Sequence, residues 1–135
     1  MEHIKEFFET RDKFAKYVGI EIVEIDKGKA TVKLDIDERH LNGVNIVHGA
    51  VLFSVADYAF AIASNSYGDV AVSINANISF IKAVSSGTIY AEAKEQSRNP
   101  KLATYLINVT NEKGELLATF HGMVYIKKQK LEDIK

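Results

Sequence analysis

One carboxylate, Asp57, stands in the middle of a long apolar stretch, "NGVNIVHGAVLFSVADYAFAIAS", which spans residues 42–64. Burying an ionised side chain costs roughly several kcal/mol unless a partner offsets the charge. An acid held in apolar surroundings could act as a general base on water or as a nucleophile. It could equally be a structural carboxylate bonded to a backbone amide or a tyrosine. The sequence position leaves both interpretations open.

A second candidate group lies at the start of the helix that this stretch predicts. The first amide N–H groups of a helix have no acceptor within it, and with the helix dipole they stabilise negative charge. Gly49 leaves that backbone unshielded, so a carbonyl that gains negative charge in a transition state could be stabilised there. Gly49 could also simply relieve crowding where a strand crosses the helix.

The helix itself separates these two candidates. The rise per residue places Asp57 about 12 Å along the axis from the amides of Gly49 and Ala50, too far to share one small reacting group. Asp57 would have to come from a second chain whose helix packs antiparallel to the first, which predicts an obligate dimer with two equivalent sites. Small residues on the helix would permit this approach: Ala50, Ala56, Ala59, Ala61 and Ala63.

Three nearby polar residues each have a simple and a chemical interpretation. His48 is typical of a histidine at a helix start, and it is out of phase with Asp57, so the two cannot pair within one chain. Asn42 precedes Gly43 in a turn signal, but its amide could also bind a ligand carbonyl. Ser73 is predicted on the polar, solvent-facing side of a strand. Residue type alone assigns a role to none of the three.

Other kinds of site have little support. The chain has no cysteine and four histidines without ligand spacing, so no metal site is predicted. No glycine-rich phosphate loop follows a strand, and no serine sits in a nucleophile elbow. Three basic residues in predicted loops could be solvated charges or could hold an external phosphate: Lys82, Arg98 and Lys101.

The elements that must position these residues show two periodicities. Helical spacing of Ile4, Phe7, Phe8, Phe14 and Tyr17 predicts a helix, or two short ones, over about residues 2–18. The central helix is predicted over about 48–65. Strands are predicted within residues 20–29, 29–37, 70–81, 88–97, 102–111 and 115–128, and a frayed tail follows.

Segment 70–81 has the clearest alternation. It predicts an apolar face of Val70, Val72, Ile74, Ala76, Ile78 and Phe80, and a polar face of Ser73, Asn75, Asn77 and Ser79. Because short links join the last four strands, the sheet must be antiparallel. A sheet of about five to six strands wrapped around the long helix is the arrangement that covers both apolar surfaces, which predicts one α+β domain over residues 1–135.

Composition narrows the function classes. A length of 135 residues fits one domain, and seventeen basic against eighteen acidic residues leave a net charge of −1. Such a balance does not favour nucleic acid or a membrane as the main partner. The chain opens without an apolar signal segment, so we expect a cytoplasmic protein.

The stretch around Asp57 resembles the sequence pattern of a known family. "LNGVNIVHGAVLFSVADYAFAIASNS" is similar to the signature of the hotdog-fold thioesterases of the phenylacetic-acid-degradation type: an Asn, a His-Gly-Gly helix start, and an Asp eight residues after the first glycine. The similarity continues through "VSINANISFI" and "HGMVYIKK", from about residue 15 to 127. The pattern is specific for the family and much less specific for the substrate.

The resemblance implies a fold, an assembly and a reaction. In the family a sheet wraps the central helix, protomers pair, and dimers commonly form tetramers. The substrate is an acyl- or aroyl-coenzyme A thioester in the dimer interface, and coenzyme A enters only as part of the substrate, with no further cofactor. The slot for the acyl group could be shaped by Phe53, Tyr58 and Phe60.

The resemblance also assigns roles by position. It implies that the Gly49 N–H polarises the thioester carbonyl, that Asn42 helps to bind this carbonyl or a water, and that Asp57 of the other protomer is general base or nucleophile. Ser73 matches a position that orients the attacking water in some relatives. His48 and Ala50 would border the substrate, and Lys82, Arg98 and Lys101 are candidates for the coenzyme A phosphates.

One departure and two alternatives accompany this interpretation. The second glycine of the family pattern is Ala50 here, whose methyl group could narrow the acyl slot while its N–H remains. A non-catalytic acyl-CoA-binding or regulatory module is the first alternative, supported if Asp57 were bonded structurally with no cleft beside it. A hotdog dehydratase is the second, although it needs a histidine that works with its acid, and His48 does not obviously provide one.

Overall fold

The computed structural model describes residues 1–135. Six strands form one antiparallel sheet in the order β1-β2-β4-β5-β6-β3. Their bounds are Glu21–Asp26 (β1), Lys29–Asp35 (β2), Asp69–Phe80 (β3), Thr88–Arg98 (β4), Leu102–Asn111 (β5) and Leu116–Lys130 (β6). A two-residue turn that includes Gly28, at φ 71°, joins β1 to β2, as predicted.

The central helix, α3, spans Gly49–Asn65 and lies against this sheet. Its inward residues are fully buried: Val55, Ala56, Ala59, Ile62 and Ala63 each have 0% exposure. The predicted α+β hotdog architecture, a long helix wrapped by an antiparallel sheet, is therefore confirmed. No helix of the structure has both the length and the hydropathy needed to cross a bilayer.

The fit between α3 and the sheet depends on small residues where side chains cross. Phe60 of α3 lies over Gly122 of β6, where an added Cβ would come within 2.5 Å of the Phe60 ring. Phe60 also contacts the rings of Tyr105 and Phe120, at centroid distances of 5.7 and 5.5 Å. Phe60 is 1% exposed, so the expectation that it lines an acyl slot is wrong.

Two short helices precede the sheet where one or two were expected. They are α1, Glu2–Arg11, and α2, Lys13–Val18, and they are separated at Asp12. Asp12 caps α2, since its carboxylate accepts the Ala15 N–H at 2.9 Å. The break changes the buried face, so Phe14 and Tyr17, expected on the apolar side, are 63% and 77% exposed.

Strand β3 departs from its predicted alternation because of a β-bulge. The pairing with β6 shifts between Ser73, opposite Val124, and Asn75, opposite Met123, so Ile74 is the extra residue. Residues before the bulge therefore face the opposite way from the expectation. Ser73 shares the helix-facing side with buried Val124, and Val72 lies opposite half-exposed Tyr125 on the outer side.

The C-terminal segment is more ordered than expected. β6 continues to Lys130, and a 3-10 helix, Leu131–Asp133, follows it. Leu131 is 6% exposed, and its N–H donates to the Gly68 carbonyl at 2.9 Å. The prediction of a frayed tail is wrong because the buried leucine anchors this segment to the turn after α3.

Candidate active site

A cleft at the start of α3 is lined by Gly49, whose backbone N–H is unpaired. We call it the Gly49 cleft; its volume is about 240 Å³, and it is lined by Asn42, Ile46, Val47, Gly49, Leu52, Phe80, Ile81, Lys82 and Ala83. The Gly49 N–H donates to no acceptor within the chain, whereas the N–H groups of Val51 and Leu52 both reach the His48 carbonyl. A helix start with an unpaired amide suits an oxygen that carries negative charge.

His48 and Ala50 have structural roles at this helix start. His48 caps α3, and its Nδ1 accepts the Ala50 N–H at 3.0 Å. The Ala50 amide is thus occupied, so the expectation that two neighbouring amides are free reduces to Gly49 alone. Because Nδ1 serves as an acceptor, the neutral His48 ring carries its proton on Nε2, and the side chain is exposed.

Asn42 fixes the loop that borders the cleft and keeps one amide group free. Its Oδ1 accepts the N–H groups of Val44 and Ile46, at 3.0 and 3.3 Å. Its Nδ2 makes no hydrogen bond within the chain, and Asn42 is one of the residues that line the cleft. Asn42 therefore builds the turn, and it keeps one amide group without a partner in the chain.

A buried histidine that sequence reasoning missed, His40, anchors this loop. Its Nδ1 accepts the Asp37 N–H at 2.9 Å, and its Nε2 lies 2.7 Å from the Val18 carbonyl of α2. Its own carbonyl accepts the His48 N–H at 2.8 Å. His40 therefore connects the N-terminal helices to the residue that caps α3.

Asp57 lies in a different pocket, which α2 and α3 form together. This Asp57 pocket has a volume of about 220 Å³ and is lined by Asp12, Phe14, Ala15, Ile20, Phe53, Ser54, Asp57, Tyr58 and Ala61. Phe53 and Tyr58, two of the residues expected to shape an acyl slot, both line this pocket. The pocket opens beside the carboxylate, so one feature that would support a non-catalytic module, an Asp57 with no cleft beside it, is absent.

The Asp57 carboxylate is partly buried and has no partner. It forms no ion pair, and none of the side-chain hydrogen bonds of the chain includes it. Burial, and secondarily the nearby charge of Asp12, raises the pKa of Asp57 above its ordinary value of 3.8. A carboxylate in this state is a stronger base than an exposed one, which suits proton transfer from water.

The Asp57 pocket and the Gly49 cleft share no lining residue, in keeping with the separation of Asp57 and Gly49 along the helix axis. Within one chain, Asp57 and the Gly49 N–H open onto different surfaces. Small residues on α3 were expected to let the helices of two chains approach closely. This expectation is wrong for Ala56, Ala59 and Ala63, because they are fully buried against the chain's own sheet. Their small size serves the packing of α3 on that sheet.

Two apolar residues, one that lines the Gly49 cleft and one in the loop beside it, are largely exposed. Phe80, the last residue of β3, is 56% exposed and lies over Gly49, since an added Cβ there would meet its ring at 3.2 Å. Val44, in the Asn42 loop, is 74% exposed. Exposed apolar groups around a cleft favour coverage by another surface.

The three basic candidates do not come together within one chain. Lys82 lines the Gly49 cleft and pairs with Glu115, and its N–H bonds to Leu117 at one end of β6. The Lys101 carbonyl accepts the Ile126 N–H, nine positions along the same strand, which is about 30 Å away. Lys82 and Lys101 of one protomer therefore lie too far apart to bind the same phosphate.

Arg98 is a structural residue rather than a solvated charge. Its guanidinium lies 3.7 Å from the ring centroid of Tyr67, and it is within 3.6 Å of Glu95 and 3.9 Å of Asp69. Only 24% of the side chain is exposed. Lys101 remains exposed and free of ion pairs. No three His, Asp or Glu side chains cluster in a way that could hold a metal ion.

Comparisons with known proteins agree with this architecture. A family model described as the thioesterase superfamily matches residues 44–118. The chain is 40% identical over 126 residues to an Archaeoglobus fulgidus protein, covering 93% of this chain and 82% of that relative. It is 37% identical over 112 residues to the acyl-coenzyme A thioesterase PaaI of Escherichia coli, covering 82% and 80% of the two chains. The solved structure of the E. coli PaaI protein superposes with a TM-score of 0.91 and 31% identity, over 95% of this chain and 94% of that one.

Proposed function

This chain belongs to the thioesterase superfamily and is a thioester hydrolase, and on that premise we propose that it hydrolyses acyl-coenzyme A thioesters to the free acid and coenzyme A. The observation that carries the proposal is an unpartnered carboxylate beside an apolar pocket, at the family spacing from an unpartnered helix-start amide. The name of the E. coli relative supports an acyl-CoA substrate.

The proposed active site combines two protomers. Asp57 of one chain and the Gly49 N–H of its partner would face the same thioester, because one chain directs them to separate pockets. Strand β3 supports a partner, since it is an edge strand of twelve residues with Val72 and Ile74 42% and 54% exposed. Long exposed edges of this kind invite pairing with another strand. A dimer through β3, and a tetramer built from two dimers, is the assembly that we propose.

In the proposed mechanism the Gly49 cleft of one protomer binds the thioester carbonyl, and Asp57 of its partner activates water. The carbonyl oxygen of the thioester would accept the Gly49 N–H, with Asn42 Nδ2 available to the same oxygen or to a water. Asp57 of the partner would remove a proton from water as its oxygen attacks the carbonyl carbon, and the thiolate of coenzyme A would leave. Attack by Asp57 itself, through a mixed anhydride, is the alternative route. Ser73 faces the helix side of its strand and is exposed, which suits a role near the attacking water.

Replacement of Asp57 tests the proposal directly. Asp57→Asn keeps the shape of the side chain and removes the base, so turnover of an acyl-CoA, followed by thiol release, should fall by roughly 10²–10⁴-fold. Asp26→Asn is a matched control, because Asp26 is an exposed carboxylate in the β1-β2 turn whose backbone contact an amide can also make. Unchanged turnover in Asp57→Asn would contradict the assignment.

A mixing experiment tests the sharing of sites between protomers. Asp57→Asn and a variant that loses the Gly49 N–H should each have strongly reduced activity as homodimers. A heterodimer of the two retains one site in which both groups are intact, so mixing after partial unfolding should restore activity. Heterodimers without activity would contradict the shared site while leaving the hydrolase assignment in place.

The non-catalytic acyl-CoA-binding module is less well supported. An Asp57 held by structural hydrogen bonds with no cleft beside it would have supported it, and Asp57 has neither property. Tight binding of an acyl-CoA by the unmodified protein, without thiol release, would favour that alternative.

A further inference from the structure

Part of the wall of the Asp57 pocket comes from a segment outside the matched family domain. The family model covers residues 44–118, whereas Asp12, Phe14, Ala15 and Ile20 line the pocket from the N-terminal side. Phe14 is 63% exposed, and it faces the pocket from α2. The surroundings of the proposed base are therefore built in part by this N-terminal segment.

The Asp57 pocket and the Gly49 cleft are lined by side chains of different charge. The Asp57 pocket contains two carboxylates, Asp12 and Asp57, and no basic residue. The Gly49 cleft contains Lys82 and no acidic residue. Because coenzyme A carries several phosphate charges, it is repelled by the first pocket and tolerated by the second. The acyl group, on the other side of the thioester, is then the part that enters the Asp57 pocket.

This placement has a consequence for the acyl group itself. Six of the nine lining residues are apolar, so an uncharged hydrocarbon group gains from burial there. An acyl group that ends in a carboxylate would bring a third negative charge into the same small pocket, and no cation lines it. We infer that Asp12 is a specificity-determining residue, through which the N-terminal segment rejects acyl groups that carry a negative charge.

Asp12 can be changed without loss of its structural role. Its Oδ1 caps α2 by accepting the Ala15 N–H, and Asn caps a helix start as well as Asp does. Asp12→Asn therefore removes the charge and keeps the cap, and Asp12→Ser is a second capping variant without charge. Glu9→Gln is the matched control, because Glu9 is a nearby carboxylate that lines a neighbouring pocket and not the Asp57 pocket.

The test compares two thioesters of nearly equal shape, glutaryl-CoA and 5-methylhexanoyl-CoA, which differ in a terminal carboxylate against an isopropyl group. The inference rests on the proposed hydrolase function, so kcat/KM for both is measured by thiol release. We expect the unmodified protein to prefer the uncharged thioester by about 100-fold or more, since a hydrophobic pocket and a like charge act in the same direction. Asp12→Asn and Asp12→Ser should each reduce that preference by about tenfold.

The ratio of the two substrates separates the possible outcomes. Any change in Asp57 basicity caused by the variants affects both thioesters and cancels in the ratio. A ratio that changes in both Asp12 variants and stays constant in Glu9→Gln supports the inference. A ratio unchanged in the Asp12 variants, or changed equally in Glu9→Gln, overturns the inference and leaves the hydrolase function intact. Hydrolysis of no thioester by the unmodified protein overturns the proposed function and the inference with it.

Discussion

A single substitution can remove the free N–H of Gly49 with little other change to the helix. Gly49 is the first helical residue of α3, a position at which proline is well accommodated because its missing N–H has no partner in the helix. The preceding residue, His48, has φ −59° and ψ 136°, a conformation that a following proline favours. Gly49→Pro therefore deletes the proposed oxyanion donor without removing a helical hydrogen bond.

Gly49→Ala is the matched control for this change. It introduces a Cβ as proline does, and that atom would meet the Phe80 ring at 3.2 Å. Phe80 is 56% exposed at the end of β3, so its side chain has room to move by a few tenths of an ångström. Alanine also has the better helix propensity, so both variants should remain folded, with unfolding free energies within about 1 kcal/mol of the unmodified protein.

The expected difference follows from the count of free donors. Ala50 gives its N–H to His48, so Gly49 is the one backbone donor at this helix start that can reach a ligand from the cleft. Loss of one oxyanion donor typically reduces kcat by about 10²–10³-fold, or about 3–4 kcal/mol of transition-state stabilisation. Gly49→Pro should fall below Gly49→Ala by this factor in kcat, measured by thiol release. Activities of the two variants within about threefold of each other would refute the role of the Gly49 N–H.

Three further predictions concern burial and charge around α3. Because the pKa of Asp57 is raised in the folded state, its ionised form destabilises the fold at neutral pH, and Asp57→Asn should be more stable at pH 7 by about 1 kcal/mol. The gain in Tm should shrink as the pH falls toward 3.8, where Asp57 of the unmodified protein becomes protonated. A difference in Tm that does not depend on pH would contradict this prediction. Removing the charge of Asp12 lowers the pKa of Asp57, so the acid limb of the pH profile of kcat/KM should move to lower pH in Asp12→Asn; an unmoved limb would show that burial alone sets this pKa. Gly122→Ala places a Cβ 2.5 Å from the buried Phe60 ring and should destabilise the protein by about 1–3 kcal/mol in urea unfolding, whereas an unchanged midpoint would mean that the ring can move aside.

Several parts of the fold were predictable because they depend on local periodicity. Alternation of apolar residues located all six strands, and the apolar run from His48 located α3, observed over Gly49–Asn65. Periodicity could not show the bulge at Ile74, since an extra residue in a strand has no local signature and is defined only by its pairing with β6. Ser73 consequently faces the helix side of the sheet rather than the outer, polar side.

The surroundings of charged side chains could not be predicted from local periodicity either. Arg98 occurs in a turn-like sequence typical of solvated residues, yet Tyr67, Glu95 and Asp69 surround it. Asp12 lies far from Asp57 in the sequence, and only the packing of α2 on α3 brings both into one pocket. Contacts between distant residues depend on the tertiary structure, and periodicity within a segment carries no information about them.

The sequence by itself determined that Asp57 and the Gly49 amide cannot meet in one chain, because the rise of a helix fixes their separation whatever surrounds it. It also determined that a sheet must cover the apolar helix. The tertiary structure decided which groups are free to act: His48 occupies the Ala50 amide and leaves the Gly49 amide unpaired. It also decided that Asp57 has a pocket and no partner, because hydrogen bonding and burial depend on which distant residues the fold brings beside a side chain.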